Sequence, residues 1–142
     1  MAARLDPYKN FNFRVEIDGI TIAGFSECTG LSSEVAVIEY REGGDHSVRK
    51  LPGLAKFGDL TLKRGVTKSN DLQNWHRNII NGLPDRRNGS VILLDDEKNE
   101  AVRWNFSNAF PRKWEGPHLC AQGNEVAIET LELACEGIER IS

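Results

Sequence analysis

Short stretches of alternating apolar and polar residues recur along this chain and limit its fold more than any other feature. Residues 11–17 alternate in this way, as do residues 58–65, and residues 35–40 carry a similar apolar set. A period of two is typical of a strand with one buried face. Residues 91–94 are apolar at every position, which predicts a strand covered on both faces. The chain should therefore be rich in short β-strands.

Two turn signals connect some of these stretches into hairpins. Asp18 and Gly19 follow the first stretch, and an Asp-Gly pair is a strong hairpin turn that would lead into residues 20–22. Residues 95–100 are charged or polar and separate the apolar residues 91–94 from residues 101–106. This second arrangement also predicts a hairpin.

One segment has the period of a helix. Residues 69–81 begin with residues that favour a helix N-terminus, and Leu72, Trp75 and Ile79 fall on one stripe. Gly82 is typical of a helix end. We expect one amphipathic helix here.

The last strand pattern, in residues 124–137, changes its apolar face part-way along. Val126 and Ile128 share one parity, whereas Leu131 and Leu133 share the other. Either a β-bulge shifts the register, or the two halves bury opposite faces, one in the subunit and one against a neighbour. The residues leave both explanations open.

These elements predict a mainly β protein with one flanking α-helix, built as a small β-barrel or as two packed antiparallel sheets. The chain has 142 residues, the usual size of one domain, and no composition break divides it. We expect residues 1–142 to form a single domain. Such a domain is large enough to bury a core without disulfides or metals.

Charge and composition are those of an ordinary globular protein. The formal net charge is -3, so there is no electrostatic reason to expect nucleic acid or an anionic membrane as the main partner. No apolar run is long enough to span a bilayer, and the N-terminus lacks the apolar core of a signal peptide. Cys28, Cys120 and Cys135 are odd in number and widely spaced, which predicts reduced and mostly buried thiols. We expect folding and assembly in the cytoplasm.

Residues with side chains that could act in catalysis or bind a metal do not form a recognisable motif. His46, His76 and His118 are isolated, and no nucleophile, metal-protease or phosphate-loop motif accompanies them. The carboxylates of residues 95–97 lack the spacing of a calcium loop, so a charged hairpin tip explains them better. The sequence predicts no catalytic residue, no cofactor, no metal site and no specific nucleic-acid site.

A long mixed segment, residues 41–57, calls for a different explanation. It combines a polar, glycine-containing part with apolar and basic residues. A loop or long hairpin of this kind inside a compact domain is usually functional or disordered. Its apolar residues indicate that it binds something, and the apparent lack of an active site favours self-assembly.

Several motifs, in order, resemble the tail tube proteins of contractile phage tails and related injection systems. Residues 6–15 are similar to that family's opening strand, and residues 24–31 contain its F-x-x-x-x-G-L element. Residues 39–44 read E-Y-R-E-G-G and residues 50–53 read K-L-P-G, as in the family. The helix with Trp75 and the segments at 60–65, 103–106, 111–114 and 124–129 continue the resemblance over nearly the whole chain.

The resemblance implies a structural subunit without catalytic activity. Members of this family, like the haemolysin-coregulated protein of type VI secretion, form six-membered rings whose inner strands join around a lumen. The rings stack into a tube inside a sheath, between baseplate and cap proteins, and the lumen can hold cargo. The resulting phage-tail-like particle is either released or membrane-anchored. The implied ring-to-ring contacts are Arg41, Glu42, Gly43, Gly44, Lys50, Leu51, Pro52 and Gly53.

Three other functions compete with that of a main tube subunit. The first is a paralogue that initiates or terminates the tube at the baseplate or cap of the same machine. The second is a small β-barrel that binds a ligand inside one subunit. The third is an enzyme, for example a hydrolase that uses His118 or His76.

Overall fold

The computed structural model describes residues 6–18, 24–44 and 46–141 of the chain. In these residues it contains one helix and nine strands. In chain order they are β1 Phe13–Ile17, β2 Phe25–Thr29, β3 Ser33–Tyr40, β4 Arg49–Phe57, β5 Leu60–Gly65, α1 Asp71–Ile80, β6 Arg87–Leu94, β7 Glu100–Glu115, β8 Ile128–Ala134 and β9 Gly137–Arg140.

The strands form two antiparallel sheets that share one long strand, and a separate hairpin. Sheet A has the order β1-β6-β7-β9 and uses the first part of β7. Sheet B has the order β7-β8-β5-β2 and uses the last part of β7. In the described residues β1 and β2 do not pair, so the sheets form an open sandwich and not a closed barrel. The predicted fold class, a mainly β protein with two packed sheets and a flanking helix, is confirmed.

The core lies between the two sheets and follows the period of two. Leu60 and Leu62 of β5 and Leu131 and Leu133 of β8 are fully buried and pack with Phe106 of sheet A. Each such leucine stabilises the fold by about 1.5–3 kcal/mol relative to an exposed one. These side chains form the hydrophobic core between the sheets.

The helix is close to its predicted position. It begins two residues later and ends one residue earlier than the pattern indicated, and Gly82 follows it with a φ of 80°. Leu72 and Trp75 are buried in the core, which confirms the predicted stripe, while Ile79 is only partly buried.

The β6–β7 hairpin confirms the second turn signal. The amide of Asp95 donates a hydrogen bond to the carbonyl of Asn99, 2.9 Å away, and closes the turn. Val91 and Ile92 are neighbours on opposite faces of β6 and both are buried, as the apolar run predicted. The strand predicted at residues 101–106 is only the first part of β7, which continues to residue 115.

One of the two explanations for the change of apolar face in the last strand is excluded, and the other stays a prediction. β8 begins only at Ile128 and pairs with β5 in unbroken register, so the bulge hypothesis is wrong. Glu129 occupies an inward position before Leu131, where its carboxylate is buried. Val126 precedes the strand and is exposed, and its contact with a neighbour stays a prediction.

The first predicted hairpin can be followed only in part. β1 starts at Phe13, and Phe11, which the alternation placed in the strand, lies before it and is exposed. Residues 20–22, the expected second strand of that hairpin, lie outside the described residues.

Candidate assembly interface

A hairpin formed by β3 and β4 extends from the two packed sheets. We call residues 33–57 the arm. Within the described residues its strands pair only with each other, Ile38 opposite Leu51 and Tyr40 opposite Arg49. The register shifts near the middle of the hairpin, between Val35 and Val37, so that β4 bulges. The sequence predicted a loop or long hairpin in this region, and the structure shows a long hairpin.

The arm exposes apolar side chains on both of its faces. Val37 and Ile38 are consecutive in β3 and therefore point to opposite faces, yet they are 60% and 51% exposed. Leu54 in β4 is 86% exposed. A two-stranded hairpin is at best marginally stable alone in water, because it buries little surface. Within the described part of the chain, the apolar side chains of the arm therefore stay largely exposed.

Opposite charges mark the polar positions of the arm. Glu34 lies across from Lys56, and Glu39 lies across from Lys50. Opposite-charge pairs across strands stabilise a hairpin by roughly 0.2–1 kcal/mol each. These pairs favour the observed register without covering the apolar residues, so they leave the surface available for a partner.

Two glycines hold the base of the arm close to sheet B. Gly30 has a φ of 97°, and a Cβ on it would lie 1.9 Å from the carbonyl oxygen of Asp59. The amide of Gly58 donates a hydrogen bond of 3.0 Å to the carbonyl of Ser32, and a Cβ on Gly58 would lie 2.0 Å from the Ser32 hydroxyl oxygen. Only glycine satisfies the conformation and the space at residue 30.

The structure brings the two parts of the predicted interface together in the arm. Arg41, Glu42, Gly43 and Gly44 lie in the connection that follows β3, and Gly44 has a φ of 94°. Lys50, Leu51, Pro52 and Gly53 lie in β4. A Cβ on Gly53 would approach the Ala36 carbonyl oxygen to 3.0 Å. All of these residues are exposed except Gly53, which is partly buried against β3.

On the core-facing side of sheet B lies a buried ionic cluster that the sequence did not predict. The Arg64 side chain is only 5% exposed, and its Nε donates to Glu129 Oε1 at 2.7 Å. Its guanidinium also pairs with Asp71 at the start of α1. The indole of Trp114 donates to Glu129 Oε2 at 3.2 Å. One arginine therefore connects β5, β8 and α1. The only sequence signal was the polar residue within an apolar strand pattern.

The carboxyl of Asp71 illustrates the electrostatics of this cluster. Burial alone would raise its pKa, but the hydrogen bond and positive charge of Arg64 outweigh that effect and lower the pKa below its ordinary value. The same carboxylate accepts a hydrogen bond from the Leu72 amide at 2.8 Å, at the helix N-terminus. Asp71 is thus held as an anion.

A second polar contact fixes the other end of the helix. The Trp75 indole donates to the main-chain oxygen of Asp85 at 2.7 Å, and the Arg87 guanidinium lies 4.8 Å from the Trp75 ring centre. Hydrogen bonds from Arg87 and Asn78 lower the pKa of the Asp85 carboxyl. These contacts are structural, since they join α1 to β6.

The three histidines lie in different parts of the fold. The Nδ1 atom of His76 lies 2.9 Å from the carbonyl oxygen of Pro111, while His46 and His118 are exposed. No group of three histidine, cysteine, aspartate or glutamate residues in the described chain is arranged to hold a metal ion.

The three cysteines are free, and the prediction of mostly buried thiols is only partly right. Cys120 is exposed, whereas Cys28 and Cys135 are partly buried. Burial raises the pKa of each of the two partly buried thiols to about 11, so both are protonated at neutral pH.

The family can be assigned from the whole chain. Residues 9–139 match the family of the T4-like virus tail tube protein gp19. The chain belongs to this tail tube family. No curated protein sequence matches it. The family is one of structural tube proteins, which agrees with the absence of a recognisable catalytic motif.

Solved structures give the same fold. A chain in the sheath-tube complex of the PVC extracellular contractile injection system is 26% identical, with a TM-score of 0.84 over 96% of this chain and 92% of that one. A chain in the tube-terminating cap of the anti-feeding prophage is also 26% identical, with a TM-score of 0.87 over 100% and 95%. Hcp1 from Flavobacterium johnsoniae, at 15% identity, has a TM-score of 0.57 over 92% and 94% and shows a similar fold.

Within the described residues, no helix is both long and apolar enough to cross a membrane.

Proposed function

We propose that this tail tube protein is the repeating subunit of the inner tube of a contractile, phage-tail-like particle. Its copies form hexameric rings that stack into a hollow tube inside a sheath. The observation that carries the proposal is the arm, which exposes apolar residues on both faces and whose strands pair with no other strand in the described residues. A tail tube fold with such an arm suits repeated contact between identical subunits.

Ring closure would use the two edge strands of sheet B, apart from Pro111, whose carbonyl oxygen lies 2.9 Å from His76 Nδ1. In the described residues, β2 pairs only with β5, and the last part of β7 pairs only with β8. An exposed strand edge carries unpaired backbone groups that can pair with another chain. Pairing one copy's β2 edge with the next copy's β7 edge is a head-to-tail contact, which closes into a ring when the rotation fits. A related baseplate structure was averaged with 6-fold symmetry, which supports six copies.

Ring-to-ring stacking would use the arm. The proposed contacts are the eight residues inferred from the sequence: Arg41, Glu42, Gly43, Gly44, Lys50, Leu51, Pro52 and Gly53. Val37, Ile38 and Leu54 join them because their exposed side chains would lose contact with water in the stack. Fully covering such a side chain contributes about 1.5–3 kcal/mol, repeated for every subunit.

The proposed partners follow from the similar structures. These come from a sheath-tube complex, a baseplate and a cap. We therefore propose sheath, baseplate and cap proteins as neighbours of the tube, and cargo as a possible occupant of its lumen. The free thiols of Cys28, Cys120 and Cys135 suit assembly in the reducing cytoplasm, before the particle is released or attached to a membrane.

A second candidate function is that of a paralogue which terminates or initiates the tube. It is favoured by the chain in the PVC sheath/tube terminator, which is 26% identical with a TM-score of 0.86. Its identity equals that of the chain in the sheath-tube complex, and its TM-score is slightly higher, 0.86 against 0.84. A terminator would add at one tube end and stop growth, whereas a tube subunit would add repeatedly.

Variants of the arm test the proposal. We expect replacement of residues 41–44 by a short neutral linker, or Leu54→Ser, to leave the subunit folded and able to form rings but unable to stack. Ile80→Ser is the matched control, because Ile80 is also exposed, at 69%, but lies on α1. Sedimentation velocity should then show tubes for the wild type and the control, and single rings for the arm variants. Tubes of normal length from both arm variants would rule out the arm as the stacking contact.

A further inference from the structure

The outer edge of β7 in sheet B, the side away from β8, is blocked at one residue. The carbonyl oxygen of Pro111 lies 2.9 Å from Nδ1 of His76 on α1, and because a carbonyl oxygen only accepts hydrogen bonds, Nδ1 is the donor. Pro111 also has no main-chain N–H. The residue therefore offers an added strand no donor and an acceptor that is already engaged.

A second proline limits the same edge further along the chain. Pro117 follows the end of β7, and it too lacks the N–H that strand pairing requires. Five residues, 112–116, lie between the two prolines. We call them the edge window. The strand at the other edge of sheet B, β2, also has five residues, Phe25–Thr29. A β2 strand from a second copy thus matches the edge window in length.

The hydrogen-bond ladder of sheet B decides which main-chain groups of its edge strands point away from the sheet. In an antiparallel pair, the N–H and C=O of one residue point to one neighbouring strand, and those of the next residue point to the other side. The Val66 amide donates to the Ala127 carbonyl, 2.9 Å away, just beyond the β5–β8 pair. Every second residue back along β5 does the same, so the main-chain groups of Leu62 also point to β8.

One residue on each edge strand then points its main-chain groups outward. Cys28 lies opposite Leu62, whose groups point to β8, so those of Cys28 point to the outer edge of β2. Leu131 of β8 is bonded to Leu62, so Trp114, opposite Leu131, points its groups to the outer edge of β7. The same alternation turns the Pro111 carbonyl outward, in agreement with its contact to α1. Trp114 is the middle residue of the edge window.

One unbroken antiparallel register between copies pairs these outward groups. It places Cys28 of one copy opposite Trp114 of the next, so that each donates to the other's carbonyl. Both side chains pack against the core of their own subunit, so the core-facing side of the sheet continues across the contact. The pairs on the opposite face are then Glu27 with Glu115 and Thr29 with Lys113.

The two prolines exclude the registers on either side. A shift of two residues one way would place Thr29 opposite Pro111, whose carbonyl is engaged by His76. A shift of two residues the other way would place Glu27 opposite Pro117, which has no N–H to donate. A shift of one residue would turn core-facing side chains to the other face.

We propose that His76 and the two prolines are register stops, which restrict β2 of a second copy to the edge window and so fix the contact between neighbours. The inference rests on the proposed function, in which the edge strands of sheet B join copies into a ring. An edge strand without such stops can pair in several registers or with a wrong chain. The register brings Glu27 opposite Glu115, and Lys63 Nζ, 3.4 Å from Glu27 Oε2, offsets that repulsion.

Disulfide mapping tests the register. Thr29 and Lys113 would form a non-hydrogen-bonded pair, with Cα atoms about 4.5 Å apart, which suits a disulfide. In a Cys120→Ser background, Thr29→Cys with Lys113→Cys should therefore give a ladder of linked copies, up to six, under mild oxidation. Thr29→Cys with Glu115→Cys is the matched control on the same face of the same strand. Its yield should be several-fold lower.

Removal of each stop tests its role. Pro117→Ala should raise the yield of the Thr29–Glu115 disulfide several-fold, because β2 can then slide two residues towards the loop. His76→Ala with Pro111→Ala should raise the yield from Glu27→Cys with Lys113→Cys, which reports the opposite slide. Arg77→Ala is the control for α1, since Arg77 is exposed and adjacent to His76, and it should leave all yields unchanged. Pro117 lies outside the strands and the helix, so its variant should fold as the wild type does.

Electron microscopy of the same samples separates the inference from the proposed function. Rings or tubes that give equal yields of the Thr29–Lys113 and Thr29–Glu115 disulfides would overturn the register and leave the proposed function standing. Yields that stay the same when Pro117 is replaced would overturn the role of the stops. A chain that forms neither rings nor tubes would refute the proposed function itself.

Discussion

Arg64 sits between two carboxylates, one from α1 and one from β8, with almost no access to solvent. A buried ion pair gives little net stability over an apolar replacement, but the loss of one partner leaves an uncompensated charge in the interior. At the residue scale, this one guanidinium therefore joins the start of the helix to β8 of sheet B.

We expect Arg64→Met to reduce the free energy of unfolding by about 3–5 kcal/mol, because Glu129 would keep a buried charge without its partner. Arg112→Met is the matched control, since its ion pairs are exposed and should contribute about 1 kcal/mol or less. Urea unfolding of the dilute subunit measures both. A loss below about 1 kcal/mol for Arg64→Met would show that the cluster does not hold the fold together.

The lowered pKa of Asp71 predicts an acid sensitivity. In the unfolded chain an aspartate titrates near pH 3.9, whereas in the folded subunit the pKa lies lower. The stabilisation is therefore complete above about pH 5 and is lost as the pH falls through the folded pKa. We expect Asp71→Asn to be less stable than the wild type at neutral pH, with a difference that shrinks below about pH 4. Urea midpoints measured across this range would contradict the account if the two curves ran parallel.

At the scale of elements, the arm depends on the conformation at its base. Gly30→Ala would place a Cβ against the Asp59 carbonyl in a backbone conformation that favours glycine. We expect a loss of about 2 kcal/mol or more, or an arm that points elsewhere, with weaker tube formation in either case. Gly24→Ala, outside the arm, is the control, because nothing lies within 4 Å of its added Cβ. Urea unfolding and a pelleting assay of tubes measure the two effects. Equal behaviour of the two variants would refute a role for Gly30 in positioning the arm.

The elements also show what the sequence could and could not reveal. The period of two identified β5, and the helix stripe placed Leu72 and Trp75 in the core, because both patterns are local. The long β7 was predicted only at its start, since the sharing of one strand by two sheets is decided by distant pairings. The binding role of the arm was predicted from its composition and from its resemblance to the tail tube family. The sequence did not reveal that the arm stands apart from the main sheets, because Gly30 and Asp59, which lie close together at its base, are far apart in the chain. The polar Glu129 at an inward position of the strand was visible in the sequence. Its buried partner, Arg64, was not, because it is 65 residues away.

At the scale of the whole molecule, the distribution of polarity is uneven. The arm exposes apolar residues on both faces, while the outward face of sheet B carries none of the large exposed ones in the described chain. In the described residues, no further strand pairs with β2 or with the last part of β7, the two edge strands of sheet B. In the described residues, the edge strands lack a neighbouring strand and the apolar side chains of the arm are exposed to water. The polar face of sheet B, in contrast, is compatible with water. This distribution is expected of a subunit in a hollow assembly.

Electron microscopy of the purified protein tests this account most directly. Negative-stain images, taken over a range of concentrations and with a baseplate complex added as a nucleus, would reveal the assembly. We predict rings or hollow tubes with six-fold end views that lengthen as the protein concentration rises. Monomers that form neither rings nor tubes, even when they are concentrated and nucleated, would contradict the central claim.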